Sequence, residues 1–154
     1  MLKEDKILAD ASDAEFTFRK LEVSDYDLGF FETLAFLTKV GEVTKQDFEN
    51  QFHQMFPLRS DVYKIVVVFD VAKQRVVGSG SLVLEKKFIR QLGTAGHIED
   101  IVISEGYRGK HLGLRMIELL KKIATENACY KVILDCGQHN VGFYEKVSRP
   151  ELHF

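Results

Sequence analysis

The pattern of apolar and polar positions along this chain is typical of a domain that mixes helices with a β-sheet. Residues 16–21 alternate between apolar and polar side chains, which predicts a half-buried strand. Denser apolar runs, bounded by turn residues, predict four more strands. They cover residues 63–69, 76–84, 97–103 and 130–136.

Apolar residues at a helical spacing predict four helices between these strands. Ser24 is a suitable N-cap for the first helix, which Gly41 would end, and Thr44 with Asp47 forms a capping box for the second. The predicted helices cover residues 24–41, 44–56, 112–123 and 140–146. This element order predicts an α+β fold, with a polar N-terminal tail over residues 1–15 and a single domain over residues 16–154.

Composition and charge narrow the class of protein. The chain has 154 residues, of which 45% are hydrophobic and 29% charged, as expected of one soluble globular domain. Its net charge of −2 argues against a nucleic-acid-binding surface. The longest apolar run, residues 65–69, is far shorter than the roughly 20 residues that span a bilayer. We therefore expect a soluble intracellular protein, cytoplasmic because no targeting signal is recognisable, that binds neither nucleic acid nor membrane. Cys129 and Cys136 suggest neither a disulfide framework nor a metal site.

The segment between the fourth predicted strand and the long helix contains the most informative motif, Arg108-Gly-Lys-His-Leu-Gly113. The first N–H groups of a helix have no internal partner and favour a phosphate, and Arg108 and Lys110 add positive charge beside them. The spacing matches neither a P-loop nor a dinucleotide fingerprint. An ordinary glycine turn with two solvated cations would contain the same residues.

This motif resembles the pyrophosphate loop of the GCN5-related N-acetyltransferase (GNAT) superfamily. Arg108, His111 and Gly113 take the positions of the motif's first residue, its first glycine and its final small residue, so His111 departs from the usual glycine. Further strings resemble one subfamily, the eukaryotic glucosamine 6-phosphate N-acetyltransferases. They are residues 37–41, 85–90, 96–103, 129–131, 134–136 and 140–146.

The resemblance implies a GNAT fold, with a mostly antiparallel mixed sheet whose central strand pair is splayed, and a homodimer. It also implies direct transfer of acetyl from acetyl-CoA to the 2-amine of glucosamine 6-phosphate within a ternary complex, a step toward UDP-N-acetylglucosamine. Two alternatives stay open: acetylation of another amine, such as a polyamine or a protein N-terminus, and a non-catalytic CoA-binding module.

Acetyl-CoA is expected to lie along the fourth strand and the glycine loop. A backbone N–H of Ile101 or Val102 is a candidate donor to the oxyanion. Tyr144 would donate a proton to the departing thiolate, although a core tyrosine would fit the sequence equally well. The predicted contacts are Ile101, Val102, Ile103, Arg108, Gly109, Lys110, His111, Leu112, Gly113, Asn140, Phe143, Tyr144 and Lys146.

The amino sugar is expected to meet carboxylates and cations. Asp135 lies among apolar neighbours and would hold the substrate amine and accept its proton, unless it is an edge aspartate that faces water. Glu99 and Asp100 are adjacent and so should point to opposite faces of their strand, with Glu99 facing the substrate by resemblance. The predicted substrate contacts are Thr38, Lys87, Arg90, Glu99, Asp100, Lys131 and Asp135. Without the resemblance, the basic residues would be taken for a solvated face.

The match to the subfamily ends after Lys146. In relatives, a last strand follows and contributes a basic residue to the partner's site. Here only residues 147–154 remain, and Arg149 is the one candidate to replace that cation. Pro150 cannot donate to a β-ladder and would either confine any strand to an edge of the sheet or break it.

Overall fold

The computed structural model describes residues 2–134 together with the backbone of residues 152–153. The predicted helix over residues 140–146 therefore lies outside the described residues. So do five of the predicted site residues: Asp135, Asn140, Phe143, Tyr144 and Lys146.

One mixed sheet organises the described chain. Its strands are β1 (Phe16–Lys20), β2 (Tyr63–Asp70), β3 (Arg75–Lys86), β4 (Thr94–Ile103), β5 (Cys129–Leu134) and β6 (Leu152–His153), arranged in that order. Strands β1 to β4 pair antiparallel, whereas β5 is parallel to β4 and β6 is parallel to β5. The predicted α+β fold with a mostly antiparallel sheet is confirmed, and β6 lies at one edge of the sheet.

Helices cover both faces of this sheet. They are α1 (Lys3–Ala11), a 3₁₀ helix (Val23–Leu28), α2 (Phe30–Leu34), α3 (Lys45–Met55), the one-turn α4 (Ile89–Leu92), a second 3₁₀ turn (Glu105–Tyr107) and α5 (Leu112–Glu126). The capping box predicted for α3 is confirmed, since the Asp47 N–H donates to Thr44 Oγ1 over 3.1 Å.

The N-terminal tail predicted over residues 1–15 is wrong in one respect, because most of it is the helix α1. Leu8 is buried in the main core, with Ile7 and Ala11 packed beside it. The Lys64 Nζ lies 3.1 Å from Glu4 Oε2, which ties the helix to β2. Only a few apolar residues are spread through this polar segment, so its pattern was too weak to predict a helix that tertiary packing stabilises.

The single helix predicted over residues 24–41 is also wrong. Gly29 has a φ of +94°, a left-handed conformation that separates the 3₁₀ helix from α2, and α2 ends at Leu34. Ser24 is not the N-cap. The carboxylate of Asp25 instead accepts the N–H of Glu22 over 2.8 Å and a bidentate pair from Arg19 over 2.7 and 2.9 Å. Satisfying this fully buried carboxylate outweighs continuing the helix.

The core has two parts, one on each face of the sheet. Helix α5 contributes its apolar stripe to the larger part, as its spacing predicts, while α2 and α3 cover the smaller part. The α5 stripe comprises Leu112, Met116, Leu119, Leu120 and Ile123. The smaller part is centred on Leu21, Phe30, Phe48, Val67 and Val76.

Strand β4 is irregular in its second half. Its register with β3 shifts between Ser79 and Ser81, and opposite this shift Asp100 has a left-handed φ of +53°. Its pairing with β5 runs from Thr94 to Ile98. Among the described residues, β4 therefore pairs with β3 alone over residues 99–103, which leaves the other edge of that half of the strand unpaired by a described strand.

Candidate active site

Two cavities lie beside the second half of β4. The first, the carboxylate cavity, has a volume of about 550 Å³ and lies on the α2–α3 face of the sheet. Its polar lining comes from Asp47 and Gln51 of α3, Ser79 and Ser81 of β3, and Glu99 and Asp100 of β4. Its remaining walls are mainly aromatic and aliphatic, and none of the described lining residues is Lys, Arg or His. The cavity therefore favours an amine or ammonium group over an anion.

Glu99 and Asp100 both line the carboxylate cavity, although neighbours on a regular strand point to opposite faces. The left-handed backbone at Asp100 and the shifted register break this alternation. Aspartate tolerates the left-handed region better than most residues, which makes it a suitable residue for this bulge.

The second cavity, the loop groove, has a volume of about 620 Å³ and follows the open edge of β4 to the start of α5. It includes eight of the predicted cofactor contacts and is completed on its apolar side by Phe36 and Leu37 of the α2–α3 loop. Those eight residues are Ile101, Val102, Ile103, Arg108, Gly109, His111, Leu112 and Gly113. The predicted contact Lys110 does not line it, since its ammonium lies 3.7 Å from Glu15.

The backbone at the end of this groove is arranged to receive an anion. Gly109 has a φ of +86°, and His111, the residue before α5, has a φ of +61°. That left-handed conformation explains why glycine is usual at the position that His111 occupies, and the imidazole is exposed. The first turn of α5 contains no acidic residue, so nothing opposes the positive end of the helix. An apolar channel that leads to such a helix N-terminus fits a ligand with a diphosphate and a long apolar arm.

Two hydrogen-bond anchors hold the loop between β4 and α5. Ser104 Oγ lies 3.0 Å from Thr33 Oγ1, and the buried Thr33 hydroxyl donates to the carbonyl of Val76 over 2.8 Å. Further along, the Tyr107 hydroxyl donates to Asp70 over 2.5 Å. This bond raises the pKa of Tyr107 to about 12 and holds the pKa of Asp70 below its usual value.

The predicted phosphate-binding cations lie away from both cavities. Lys87 and Arg90 belong to the basic arm, the segment of residues 87–93 between β3 and β4, and Lys131 is on β5 opposite Ala95. Ala95 and Glu99 are four positions apart on β4, which corresponds to about 13 Å. None of the three cations is among the described residues that line the carboxylate cavity.

The basic arm has its own internal contacts. The guanidinium of Arg90 lies 5.3 Å from the ring centre of Tyr130, and the ammonium of Lys131 lies 5.8 Å from the same ring. Glu85 accepts from His97 over 2.9 Å and pairs with Lys87 over 3.2 Å, and these contacts lower the pKa of Glu85.

One predicted substrate contact lies outside both cavities, and sequence reasoning missed three residues. Thr38 is exposed and lines neither cavity, although its neighbour Leu37 lines the loop groove. Sequence reasoning missed the lining serines Ser79 and Ser81, whose signal was the run of small residues within β3. It also missed Asp70, which resembles an ordinary hairpin residue, because its partner lies 37 positions away.

The fold and the two cavities are those of an acyl-CoA-dependent transferase, and a family comparison agrees. Residues 28–148 match the model of the Acetyltransferase (GNAT) family. The chain belongs to this family.

Individual proteins that are similar to this chain carry more specific names than the family does. A protein of Dictyostelium discoideum named glucosamine 6-phosphate N-acetyltransferase 1 is 48% identical over 134 residues, which cover 87% of this chain and 84% of the relative. A glucosamine 6-phosphate N-acetyltransferase of Candida albicans is 48% identical over 131 residues, 85% of this chain and 87% of that protein. The crystal structure of glucosamine-6-phosphate N-acetyltransferase from Arabidopsis thaliana superposes with a TM-score of 0.82 at 40% identity, covering 90% of this chain and 95% of that one.

The described residues contain no helix that is both long and apolar enough to cross a membrane. Within the same part of the chain, no group of three or more His, Cys, Asp or Glu side chains is placed to hold a metal ion.

Proposed function

We propose that this chain is a glucosamine 6-phosphate N-acetyltransferase, which transfers an acetyl group from acetyl-CoA to the 2-amine of the sugar. The observation that carries the proposal is the position of β4. Two acidic residues of this strand, Glu99 and Asp100, line one cavity, and the next residues, 101–103, line the other. An amine held in the first cavity would meet a thioester held in the second at the bulge between them.

The loop groove supplies the cofactor side of the proposed site. The edge of residues 101–103 that no described strand pairs would offer backbone groups to the amides of a pantetheine arm, as an added strand would. The N–H groups at the start of α5, with Arg108, would receive the diphosphate. Asn140, Phe143 and Lys146 remain proposed contacts outside the described residues.

The proposed reaction is a direct attack. The neutral amine nitrogen bonds to the carbonyl carbon, the C–S bond then breaks, and the N–H of Ile101 or Val102 stabilises the oxyanion in between. Asp135 would take the proton that the nitrogen loses, and Tyr144 would give one to the departing thiolate. Cys129 does not suit a covalent acyl intermediate, because burial raises the pKa of its thiol and it lines neither cavity.

A homodimer would supply the carboxylate cavity with cations from the partner subunit. The basic arm exposes 93% of Phe88, 63% of Ile89 and 72% of Leu92, a large apolar surface for a monomer to leave in water. Lys87 and Arg90 give the same arm positive charge, whereas the carboxylate cavity has three acidic lining residues. In the proposed dimer, the arm of one subunit lies at the mouth of the partner's cavity, where its cations meet the sugar phosphate.

The first experiment measures thiol release from acetyl-CoA with three acceptors: glucosamine 6-phosphate, glucosamine and spermidine. We expect turnover with glucosamine 6-phosphate at a kcat/KM at least about 100-fold above that with glucosamine, because the phosphate adds charge-assisted contacts. Preferred turnover of spermidine would favour an unphosphorylated amine, which the described lining of the carboxylate cavity, with no Lys, Arg or His, also fits. CoA binding with no acetylation of any acceptor would indicate a binding module.

A second experiment tests the shared site. Arg90→Ala and Glu99→Gln are each expected to abolish most activity, and the two variants are then mixed under conditions of subunit exchange. Heterodimers would contain one site in which both residues are intact, so about a quarter of the wild-type activity should return. Exchange is followed independently by two tags of different mass. If the subunits exchange and no activity returns, the site is not shared.

A further inference from the structure

We propose that Asp70 is a positioning residue for the diphosphate-binding loop, through its hydrogen bond to Tyr107. The proposal rests on the proposed function, since it assumes that the loop groove receives acetyl-CoA. Asp70 ends β2 and lines neither the loop groove nor the carboxylate cavity, so any effect on the cofactor must pass through Tyr107.

Tyr107 is the last firmly held residue before the anion-binding backbone. It lines the loop groove, its hydroxyl donates to Asp70 over 2.5 Å, and its ring packs edge-on against Phe16 with 5.9 Å between ring centres. Beyond it, Arg108 and Gly109 are exposed, and a Cβ on Gly109 would meet no atom within 4 Å. The position of residues 108–111 relative to α5 therefore depends on where Tyr107 is held.

Asp70 is itself fixed, which makes it a suitable anchor. Its side chain is 5% exposed, and its carboxylate also accepts the N–H of Lys73 over 3.1 Å in the β2–β3 turn. The raised pKa of Tyr107, about 12, and the lowered pKa of Asp70 keep the phenol as donor and the carboxylate as acceptor through the neutral range. The carboxylate thus joins two loops that are far apart in sequence, and a charge-assisted bond of this length is strong for its class.

The energetic consequence concerns the cofactor and not the sugar. A loop held in its binding geometry before the ligand arrives loses little freedom on binding, whereas a released loop must be ordered at the expense of affinity. Removing the anchor should therefore weaken binding of the part of acetyl-CoA that the loop receives. It should leave the carboxylate cavity unchanged, because that cavity lies on the other side of β4.

The experiment compares Asp70→Asn and Tyr107→Phe with the wild type, using two acyl donors. One donor is acetyl-CoA, and the other is S-acetyl-pantetheine, which lacks the diphosphate. For Asp70→Asn we expect kcat/KM to fall about tenfold with acetyl-CoA, the worth of one such hydrogen bond, and to stay within about twofold with S-acetyl-pantetheine. The KM for the sugar should not change. The Kd for CoA, measured by calorimetry without any acceptor, should rise by the same factor as the loss of kcat/KM.

Two controls separate positioning from stability. Tyr26→Phe removes a comparable hydroxyl, which donates to the carbonyl of Val43 over 2.7 Å on the other face of the sheet, and should leave the Kd for CoA unchanged. The double variant Asp70→Asn/Tyr107→Phe should lose no more CoA affinity than the stronger single variant, because both act on the same hydrogen bond: Asp70→Asn removes the charge of its acceptor and Tyr107→Phe removes its donor.

Equal losses with both donors, or a Kd for CoA that Asp70→Asn leaves unchanged, would overturn the positioning role. Those results would not bear on the acceptor, because turnover of glucosamine 6-phosphate by the wild-type chain tests the proposed function separately.

Discussion

The loop groove and the carboxylate cavity lie on two sides of β4 and are built in opposite ways. Most of the groove comes from one stretch of chain, residues 101–114, and its proposed binding groups are backbone N–H groups. The cavity draws side chains from residues 21–100, including α2, α3, β2, β3 and β4, and its proposed cations belong to a second subunit. A site made by contiguous backbone depends on local conformation, whereas a cavity made by distant side chains depends on the packing of the whole domain.

This comparison predicts that the two sites can be damaged separately. The largest expected effect is on the sugar side: Lys87→Ala/Arg90→Ala should raise the KM for glucosamine 6-phosphate by about 100-fold, since two charged contacts to the phosphate are lost. The KM for acetyl-CoA should stay within about twofold, because the basic arm lies away from the loop groove. Steady-state kinetics with each substrate varied in turn measures both.

Lys86→Ala is the matched control for that variant. Lys86 is an exposed neighbour at the end of β3, so its loss lowers the net charge of the same region without removing a residue of the arm. If it raised the KM for the sugar as much as the double variant does, general electrostatic attraction would explain the effect and specific contacts would not.

The next largest expected effect is on the loop groove. Gly109→Ala should weaken CoA binding about tenfold, because alanine is strained at a φ of +86° and the loop would shift to relieve it. Gly106→Ala, three residues earlier, has the same free space around its Cβ and no positive φ. Calorimetric titration with CoA should separate the two glycines, and equal affinities would mean that the conformation of Gly109 does not determine binding.

A smaller effect concerns the bulge that separates the two sites. Asp100→Ala and Asp100→Asn both remove a carboxylate from the cavity, but asparagine tolerates the left-handed φ of +53° and alanine does not. The free energy of unfolding, from urea denaturation, should be about 1 kcal/mol lower for the alanine variant than for the asparagine variant. Equal stabilities would indicate that the bulge is held by its surroundings alone.

The smallest expected effect is a pH dependence of stability at the loop anchor. Asp70 has a lowered pKa in the folded protein, chiefly because it accepts the Tyr107 hydroxyl. Its ionised form therefore stabilises the fold above the unfolded pKa, and this contribution is lost as pH falls through the folded pKa. The difference in free energy of unfolding between wild type and Asp70→Asn should therefore stay constant in the neutral range and shrink as pH falls below about 4, the pKa of an unfolded aspartate. A difference independent of pH would assign the anchor to packing.

The sequence by itself determined the parts of this protein that depend on neighbours along the chain. Alternating and helical periodicities predicted β1 to β5 and α5, the capping box at Thr44 predicted the start of α3, and the glycine motif at residues 108–113 predicted the groove. In each case the signal and the structure involve the same few residues, because backbone hydrogen bonding and helix capping act over a few positions.

Only the tertiary structure decided the rest. Helix α1 is stabilised because Leu8 packs into the core. The predicted helix after Ser24 is interrupted because the buried carboxylate of Asp25 pairs with Arg19. Glu99 and Asp100 line one cavity because β4 is bulged against β3. The separation of Lys87 and Arg90 from that cavity likewise follows from the register of the sheet. Burial and the pairing of polar groups act through space, so residues far apart in sequence compete with local preferences, and the lower total free energy selects between them.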